Sequence, residues 1–503
     1  MKFDIESYLL ANGPTPSSVI KKLMMDRGMS DEAARQRLSR TGANLMRFTH
    51  FPLPKREAFM YLAKDFNTTV FWNRLLKAHS EAKTVYAHTF YAMRAYSGVI
   101  PSYLLAKVSG SPVLLKKHVP VARLETQMLN GGLLRREYDE ILGDCLVSHV
   151  NFLEGVKETA GVRNQLLVED ILIKGVADWL RKNSFASYNK ITVRNKNEMP
   201  TFCHHHWDIS APSYLRPLAV INKGDTDNGF VVADVVFSEA TELKIRGFIA
   251  KVNRCRNMQK TRPFLAMLVV DSFDADAQKL AKNAGIMITT VKNFLGSDIA
   301  ELMSNLLTTL NRAAAVAAVD PERINRLFNG LSRIEGAAIN IRGAMFEMLV
   351  GHMAIKTQNV QTIDLNKKIT FDGKSAEIDV IGHRAEAEIK CFECKGYEVK
   401  RLIDVPLIER WITQVQLVRK YFQNSEVYRD RKLTFAYWTS SSFTSEAEQL
   451  LQDFQDRNKR LKIEWKTGEQ IIKIAREDKL TSIVTVLNDH YVKHPLSDDD
   501  LPF

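Results

Sequence analysis

Two acidic residues and a lysine in the last third of the chain have the types and the spacing for phosphate chemistry. Asp379 lies in one strand-like run, and Glu393 and Lys395 end the next run, after a turn near His383. Alternate residues of a strand share a face, so Glu393 and Lys395 continue an apolar row. That row consists of Ala387, Ile389 and Cys391. Charges at the end of a buried row are costly unless they are paired or bind a metal.

The opposite face of this run carries charged side chains, and we expect it to face solvent. Its residues are Glu386, Glu388 and Lys390. If the two runs pair as a hairpin, the carboxylates of Asp379 and Glu393 meet at one point. Two carboxylates and a backbone carbonyl suit Mg²⁺ or Mn²⁺, and such an ion can activate a water and neutralise phosphate charge. The alternative is a surface salt-bridge cluster with no catalytic role.

The order of these residues resembles the PD-(D/E)xK, or restriction-endonuclease-like, nuclease superfamily. In that pattern a helix bearing a Glu precedes an Asp on one strand and Glu-x-Lys on the next, and Glu347, Asp379 and Glu393-Cys394-Lys395 follow this order. The resemblance implies that Glu347, Asp379 and Glu393 bind the metal. It implies that Lys395 orients the attacking water or stabilises the pentacovalent phosphate.

Details around the motif bear on this resemblance. Small residues at helical spacing surround Glu347 and would let its helix approach the sheet; they are Gly343, Ala344 and Gly351. Ile378 stands where the family name has Pro, at a loosely kept position. Gln414 and Gln416, on the following helix, are candidates to support the site, although an exposed glutamine on a helix is common.

The segments 150–315 and 316–485 show the same succession of helices and strands, which predicts two copies of one α/β fold. In the first copy Asp208 would stand where Asp379 does, and Asp234 would take the place of Glu393. Val236 occupies the lysine position, and an apolar side chain cannot hold a water or a phosphate oxygen. We therefore expect this copy to be degenerate, serving as a scaffold or a DNA-contacting surface. Contact would come from cations on its helix: Lys244, Arg246, Lys251 and Arg254.

The N-terminal segments 1–70 and 71–149 read as helix pairs followed by short hairpins. Predicted helices cover 17–27 and 31–40, then 71–79, 85–96, 102–108 and 121–130. Strand-like runs at 44–51 and 133–138 follow them. The arrangement resembles tandem winged-helix modules, in which the second helix enters the DNA major groove and the wing touches the backbone. Generic helical hairpins share the pattern.

Basic residues are concentrated in the same region. Residues 1–150 hold 21 Lys and Arg against 13 Asp and Glu, an excess of eight within a net charge of +12. A local positive excess favours polyanions, and a basic surface kept for solubility is the alternative. The residues that we expect to contact DNA are Arg35, Arg37, Arg40, Lys116 and Lys117.

Cysteine and histidine residues give no convincing metal site. Cys203-His204-His205-His206 lies beside Asp208, but neighbours on a strand point to opposite faces, so a hydrogen-bonded or exposed cluster is expected. Cys391 and Cys394 have CxxC spacing without a second pair. The five cysteines are odd in number and scattered, which is typical of a reducing cytoplasm. No apolar run approaches the ~18 residues that a membrane helix needs.

The segment 486–503 ends in a short acidic run followed by Leu-Pro-Phe. The residues are Asp498, Asp499, Asp500, Leu501, Pro502 and Phe503. This end resembles the terminal peptide of bacterial single-stranded DNA-binding protein. The resemblance implies that Phe503 and its carboxylate dock into a basic-rimmed pocket on host genome-maintenance enzymes. A solubilising tail, or one folded over the protein's own basic groove, is the alternative.

Together these features predict a multidomain α and α/β protein. Tandem winged-helix-like modules would precede two restriction-endonuclease-like domains, the first of them degenerate. The predicted function is a cytoplasmic Mg²⁺-dependent DNA endonuclease of a phage-defence or mobile-element type, with DNA as its partner, no membrane contact, and compatibility with an oligomer. The alternatives are a non-catalytic DNA-binding regulator or scaffold with a vestigial nuclease fold, and an enzyme acting on RNA.

Overall fold

The architecture comes from a computed structural model of the 503-residue chain. It describes residues 3–40, 44–115, 118–139, 142–149, 159–195, 198–222, 225–311, 337–384, 387–397 and 401–492. The chain divides into two compact units, Met1–Gly296 and Ser297–Phe503. No helix among the described residues is long and apolar enough to cross a membrane. The protein is a multidomain mixed α/β protein.

The first unit begins with a small helical module that has a three-stranded sheet. Its elements are α1 (Ile5–Asn12), β1 (Thr15–Pro16), α2 (Ser17–Asp26), α3 (Asp31–Ser39), β2 (Leu45–Phe48) and β3 (Phe59–Leu62). The strand order is β1-β3-β2, with both pairings antiparallel. Ser30 caps α3 by accepting the amide N–H of Ala33, as an N-cap serine does. Ile20, Met24 and Leu38 form the core with strand residues.

A second module repeats this order of elements. It contains α4 (Thr69–Glu81), α5 (Val85–Met93), β4 (Val99–Pro101), α6 (Leu105–Ser109), α7 (Val121–Asn130), β5 (Leu134–Asp139) and β6 (Gly143–Ser148). Its sheet has the order β4-β6-β5. In each module a helix and a short strand (α1 and β1, α5 and β4) precede two helices and a hairpin. The second module has one additional helix, α4, at its start. The sequence predicted most of these helices and missed the short strands β1, β3, β4 and β6.

The first unit ends in an α/β domain. Its helices are α8 (Thr159–Lys182), α9 (Glu242–Arg256), α10 (Ala275–Asn283) and α11 (Val291–Leu295). Its main strands are β7 (Thr192–Val193), β10 (Ile209–Pro212), β13 (Phe230–Ala240), β14 (Phe264–Phe273) and β15 (Met287–Thr290). Two small hairpins interrupt the chain: β8 (Thr201–Phe202) with β9 (His205–His206), and β11 (Val220–Asn222) with β12 (Asp225–Asp227).

The second unit holds one five-stranded sheet and its helices. The strands are β16 (Thr362–Phe371), β17 (Lys374–Arg384), β18 (Glu388–Lys395), β19 (Lys432–Thr439) and β20 (Lys462–Lys466). The helices are α12 (Ser297–Asn311), α13 (Ala337–Thr357), α14 (Val405–Asn424), α15 (Ser445–Arg457), α16 (Gly468–Glu477) and α17 (Thr481–Leu487), followed by a π-helical turn, Asn488–Val492.

The two five-stranded sheets have the same topology. Their orders are β15-β14-β13-β10-β7 and β16-β17-β18-β19-β20. In both, the three strands that come first in the chain pair antiparallel and the last two add in parallel. In both, a long helix precedes the sheet, and a helix connects each parallel pair, as parallel strands require.

Strand β18 differs from its predicted pattern because the sheet is covered on both faces. Ile389 and Cys391 belong to the apolar core on one side. The face expected to be solvated instead buries Phe392 against Trp438 and leaves Lys390 only 9% exposed. The ammonium of Lys390 is paired with Glu464 at 2.5 Å. The prediction of a solvated face was wrong because it considered one strand without its covering helices.

Candidate active site

The antiparallel pairing of β17 and β18 brings Asp379 beside Glu393. Val380 pairs with Phe392, so the next residues outward on the two strands are the two acids. The Nζ of Lys395 lies 2.6 Å from Glu393 Oε1 and 3.7 Å from Asp379 Oδ2. Asp379 Oδ2 also accepts the amide N–H of Cys394 at 2.7 Å, which fixes this carboxylate against the neighbouring strand. Two carboxylates therefore converge on one ammonium.

Glu347 reaches the same place from the helix that precedes the sheet. It lies in α13, which packs against β17 and β18. Burial and the nearby carboxylate of Asp379 raise the pKa of Glu347 well above its usual value. The charge of Lys395 acts in the opposite direction and is outweighed. Glu347 thus interacts electrostatically with Asp379 and Lys395.

The site holds more carboxyl groups than its one lysine could neutralise if all of them were ionised. Burial and the carboxylate of Asp379 raise the pKa of Glu393 to about 7. Burial opposes the charge on Lys395, but Asp379 and Glu393 outweigh burial and raise the pKa of Lys395 well above its usual value. Three carboxylates facing one cation favour an additional cation, because unpaired buried charge is costly.

The donor atoms fit a hard divalent cation. Carboxylate oxygens are the ligands that Mg²⁺ and Mn²⁺ prefer, and Asp379, Glu393 and Glu347 supply them. Within the described ranges, no three Asp, Glu, His or Cys side chains already form a closed metal-binding cluster. Metal binding would therefore need a rotation of the Glu393 or Glu347 side chain away from its present partner. The residue types, rather than a preformed cage, make this a candidate metal site.

A metal that binds ionised Glu393 should stabilise the protein more strongly at alkaline pH. The pKa of Glu393 is raised to about 7 from 4.5, so its contribution to folding is fully present below pH 4.5 and is lost as pH rises through 7. Mg²⁺ offsets that loss by pairing with the carboxylate. We expect the Mg²⁺-induced rise in Tm to be larger at about pH 8 than at about pH 6. Equal rises in the two buffers, or an unchanged pH dependence in Glu393→Gln, would contradict this.

Gly396 allows α13 to lie close to the end of β18. A Cβ at Gly396 would stand 2.6 Å from Phe346 Cβ and 2.7 Å from the carbonyl oxygen of Arg342. The helix would have to move, and Glu347 would move with it. The sequence did not single out Gly396, although its position directly after Glu-x-Lys was an available signal.

Gly396→Ala should therefore lower the free energy of unfolding by about 1–3 kcal/mol, the usual cost of overpacking. Gly343→Ala on the same helix is the matched control, because no atom lies within 4 Å of its added Cβ. That variant should be neutral or slightly more stable, since alanine favours a helix. Urea denaturation of both variants measures the difference. Equal stability of the two would show that the close approach at Gly396 is not needed.

Gln414 and Gln416 have different surroundings. Gln414 is half-buried and lines a small cavity together with Glu393 and Trp411. Gln416 is exposed. Gln414 alone remains a candidate to support the site.

In the first sheet the acids occupy corresponding positions, but cations surround them. Ile209 pairs with Ala233, which sets Asp208 beside Asp234 as Asp379 is set beside Glu393. Lys251 is fully buried and lies 2.5 Å from Asp234 Oδ2. The prediction that Lys251 contacts DNA was therefore wrong. It failed because a lysine on a helix was taken to be exposed.

The other cations of α9 are also largely engaged within the protein. Arg254 donates to the carbonyl oxygen of Gly110 at 2.5 Å. Arg246 donates to the Ser80 carbonyl oxygen at 3.3 Å and pairs with Glu242 at 2.6 Å. Lys244 donates to the carbonyl oxygen of Glu239. Helix α9 therefore packs against other parts of its own unit. The prediction that Arg254 contacts DNA was also wrong.

The cluster after Cys203 forms a hydrogen-bonded turn. His205 is buried, its Nδ1 lies 2.7 Å from the Cys203 carbonyl oxygen, and burial lowers its pKa to about 3. The Sγ of Cys255 lies 3.6 Å from the same Nδ1. No metal-binding group of three such side chains occurs in the described part of the chain.

The candidate DNA-contacting arginines of the first module lie on α3 or at its end. Arg35 is exposed and pairs with Asp31 at 2.7 Å. Arg40 is exposed and Arg37 is half-buried. Lys116 and Lys117 lie outside the described residues, as do the predicted docking residues 498–503.

The hairpin of β5 and β6 adds basic residues that were not selected from the sequence. Arg135, Arg136 and Tyr138 are exposed on β5. Arg136 pairs with Glu125 of α7 at 2.6 Å. The sequence offered a signal for this strand, because the exposed residues of an edge strand form an uninterrupted polar run.

Comparison with solved structures finds a weak similarity to a restriction endonuclease. The restriction endonuclease FokI bound to DNA matches with 12% sequence identity and a TM-score of 0.17, over 56% of this chain and 60% of that one. The chain thus spans about 60% of the length of the FokI chain. No family model matches the sequence, and no curated protein matches it.

Proposed function

We propose that the protein is a metal-dependent nuclease that cleaves phosphodiester bonds in DNA with Asp379, Glu393, Lys395 and Glu347. The observation that carries the proposal is the convergence of Asp379 and Glu393 on the Nζ of Lys395, at 3.7 and 2.6 Å. A salt-bridge cluster kept for stability alone would not need a third acid. Glu347 nevertheless lies in the same group, with a pKa raised by burial and by Asp379.

The roles follow from charge and position. Asp379, Glu393 and Glu347 would hold Mg²⁺ or Mn²⁺, which when bound acidifies a water and neutralises phosphate charge. Lys395 remains protonated because its pKa is raised well above the usual value. It therefore cannot act as a general base at neutral pH. Its ammonium is suited to pair with the phosphate oxygen or to orient the attacking water.

DNA is the proposed substrate because of the N-terminal modules. In each module the last strand along the chain lies in the middle of a three-stranded sheet. A helix directly precedes the final hairpin of each module. This arrangement is typical of winged-helix modules, whose recognition helix enters the major groove. In that arrangement α3 presents Arg35 and Arg40, and the β5–β6 hairpin presents Arg135 and Arg136 as a wing.

The terminal residues Asp498–Asp500 and Leu501–Phe503 are proposed to dock on enzymes that read the tail of single-stranded DNA-binding protein. The support is the identity of these residues. A fluorescent peptide carrying that protein's tail should be displaced from such an enzyme by this chain. Displacement should be lost on deleting Phe503, and equal displacement without Phe503 would refute docking. A role in phage defence or in a mobile element fits such an effector.

The nuclease proposal is tested by incubating the full chain with a panel of nucleic acids. Supercoiled plasmid, linear duplex, single-stranded DNA and RNA are each incubated with Mg²⁺ or EDTA. We expect Mg²⁺-dependent cleavage of DNA. Cleavage of RNA alone would show that RNA is the substrate. If no substrate is cleaved while DNA binding is intact, the non-catalytic regulator or scaffold is favoured.

A further inference from the structure

The first sheet contains a carboxylate group that matches the candidate active site in its backbone contacts. Asp208 Oδ2 accepts the amide N–H of Val235 at 2.8 Å. Asp379 Oδ2 accepts the corresponding amide, that of Cys394, at 2.7 Å. The corresponding second acid is Asp234, which is buried. Acids therefore occupy both positions in the first sheet, whereas Val236 stands at the lysine position.

A third acid completes the group from the preceding helix. Glu169 lies in α8, which precedes the first sheet as α13 precedes the second. It is fully buried. Its Oε1 accepts the amide N–H of Phe237 at 3.0 Å, and its Oε2 accepts the hydroxyl of Tyr96 at 3.2 Å. The first sheet thus has a counterpart of Glu347 as well.

The place where a metal would be expected is taken by an ammonium from the second helical module. Lys107, in α6, is 3% exposed. Its Nζ lies 2.6 Å from Asp208 Oδ2, 3.0 Å from the Val235 carbonyl oxygen and 3.2 Å from the Tyr96 hydroxyl. A carboxylate, a backbone carbonyl and a hydroxyl are the oxygen ligands of a hard cation. Here all three surround a lysine.

Two further cations neutralise the rest of the group. Arg194 contacts Asp208 Oδ1 at 3.0 Å and Glu169 Oε2 at 3.7 Å. Lys251 contacts Asp234 Oδ2 at 2.5 Å. Three buried carboxylates therefore face three buried cations, and Arg194 also pairs with the partly exposed Asp170 at 2.8 Å. Each buried carboxylate of the group thus already has a cation as its partner. The second sheet has a single lysine among its acids. A metal fits the second group and does not fit the first.

The module that supplies Lys107 is packed closely on the sheet domain. A Cβ on Gly110, just after α6, would clash with the carbonyl oxygen of Gly247 in α9. Arg254 of α9 donates to the Gly110 carbonyl oxygen. Lys107 therefore lies on a helix whose C-terminal end is held against α9.

We infer that the first sheet is a former divalent-cation site that now receives Lys107 and so fixes the second helical module to the sheet domain. A buried ion pair contributes little net stability compared with apolar packing, but breaking one partner is strongly unfavourable. In this protein the buried pairs of Lys107 would specify one arrangement of the module on the sheet domain. The first sheet then holds the module in place, and its acids are closed to nucleic acid. This inference does not depend on the nuclease activity of the second sheet.

The inference predicts that a divalent cation can replace the ammonium. All variants are made in the full chain carrying Asp379→Asn, so that the second sheet does not bind the probe, and Tm is measured with EDTA or Mn²⁺. Lys107→Met should lower Tm in EDTA by about 10 °C, since an unpaired buried carboxylate remains. Mn²⁺ should recover much of that loss. Mn²⁺ should leave the Lys107 parent unchanged.

The matched control removes the carboxylate together with the lysine. Lys107→Met/Asp208→Asn should be more stable in EDTA than Lys107→Met and should not respond to Mn²⁺. If Lys107→Met is recovered only as aggregate, its refolding yield with Mn²⁺ against EDTA replaces Tm. The inference is overturned if Mn²⁺ fails to stabilise Lys107→Met, or if it stabilises the double variant equally.

A second variant tests whether a lysine on the sheet can replace the lysine from α6. Val236 lines a cavity of about 50 Å³ together with Lys107, Tyr96 and Asp234. Lys107→Met/Val236→Lys moves the lysine to the position that Lys395 has in the second sheet. We expect it to regain part of the Tm lost in Lys107→Met without Mn²⁺. A Tm below that of Lys107→Met would show that the group requires its cation from α6.

Discussion

Lys395→Met should lower the rate of DNA cleavage by about 10³-fold and leave Mg²⁺ binding intact. The ammonium lies among the carboxylates at 2.6 Å from Glu393 Oε1, where it can pair with a phosphate oxygen as charge develops. Removing one preorganised group of this kind typically costs 10²–10³-fold or more in rate. Methionine keeps the length and removes the charge. The acids lose a competing cation, so Mg²⁺ should bind as tightly as before or more tightly.

Single-turnover cleavage of plasmid and the Mg²⁺-induced shift in Tm measure the two effects separately. Lys462→Met is the matched control, because Lys462 is exposed on β20 of the same sheet. It should cleave at the rate of the unmodified chain. A Lys395→Met variant that cleaves at an undiminished rate would remove the lysine from the proposed mechanism.

Asp379→Asn should abolish both cleavage and the response to Mg²⁺. Its Oδ2 is fixed by the Cys394 amide at 2.7 Å, so this carboxylate needs the least movement to bind a cation. A bound metal supplies several kcal/mol of transition-state stabilisation, which corresponds to a loss of about 10³-fold or more in rate. Asp379→Asn should therefore lose metal binding, whereas Lys395→Met should keep it.

Asp372→Asn is the control for this variant. Asp372 is exposed in the turn between β16 and β17 and has a φ of 52°, a conformation that asparagine tolerates well. It should leave cleavage and the Mg²⁺ response unchanged. Retention of the full Mg²⁺-induced Tm shift in Asp379→Asn would contradict the proposed ligand set.

The sequence was informative where chemistry and local pattern coincide. The sequence predicted that Asp379, Glu393 and Lys395 lie close together, because hairpin pairing and the two-residue period of a strand determine which side chains meet. The positions of Asp208 and Asp234 followed from the same reasoning. The sequence did not predict that Asp208 pairs with Lys107, because Lys107 comes from a module far earlier in the chain and no local pattern connects the two residues.

Burial was the second limit. Lys390 and Lys251 were expected on solvated surfaces, since lysine is almost never fully buried unless it is paired. Both are paired, with Glu464 and Asp234 at 2.5 Å. Only the packed helices and strands supply those partners. The role of Gly396 was hidden for the same reason, because the clash with Phe346 arises between elements distant in sequence.

The central claim is that Asp379 and Glu393 can hold one cation between them, and anomalous diffraction from crystals containing Mn²⁺ tests it most directly. We expect a single strong anomalous peak in the second sheet, within coordination distance of oxygens of both carboxylates. It predicts no peak beside Asp208, where Lys107 lies. Crystals without a peak at Asp379 and Glu393, with both acids still paired to Lys395 at saturating Mn²⁺, would contradict it.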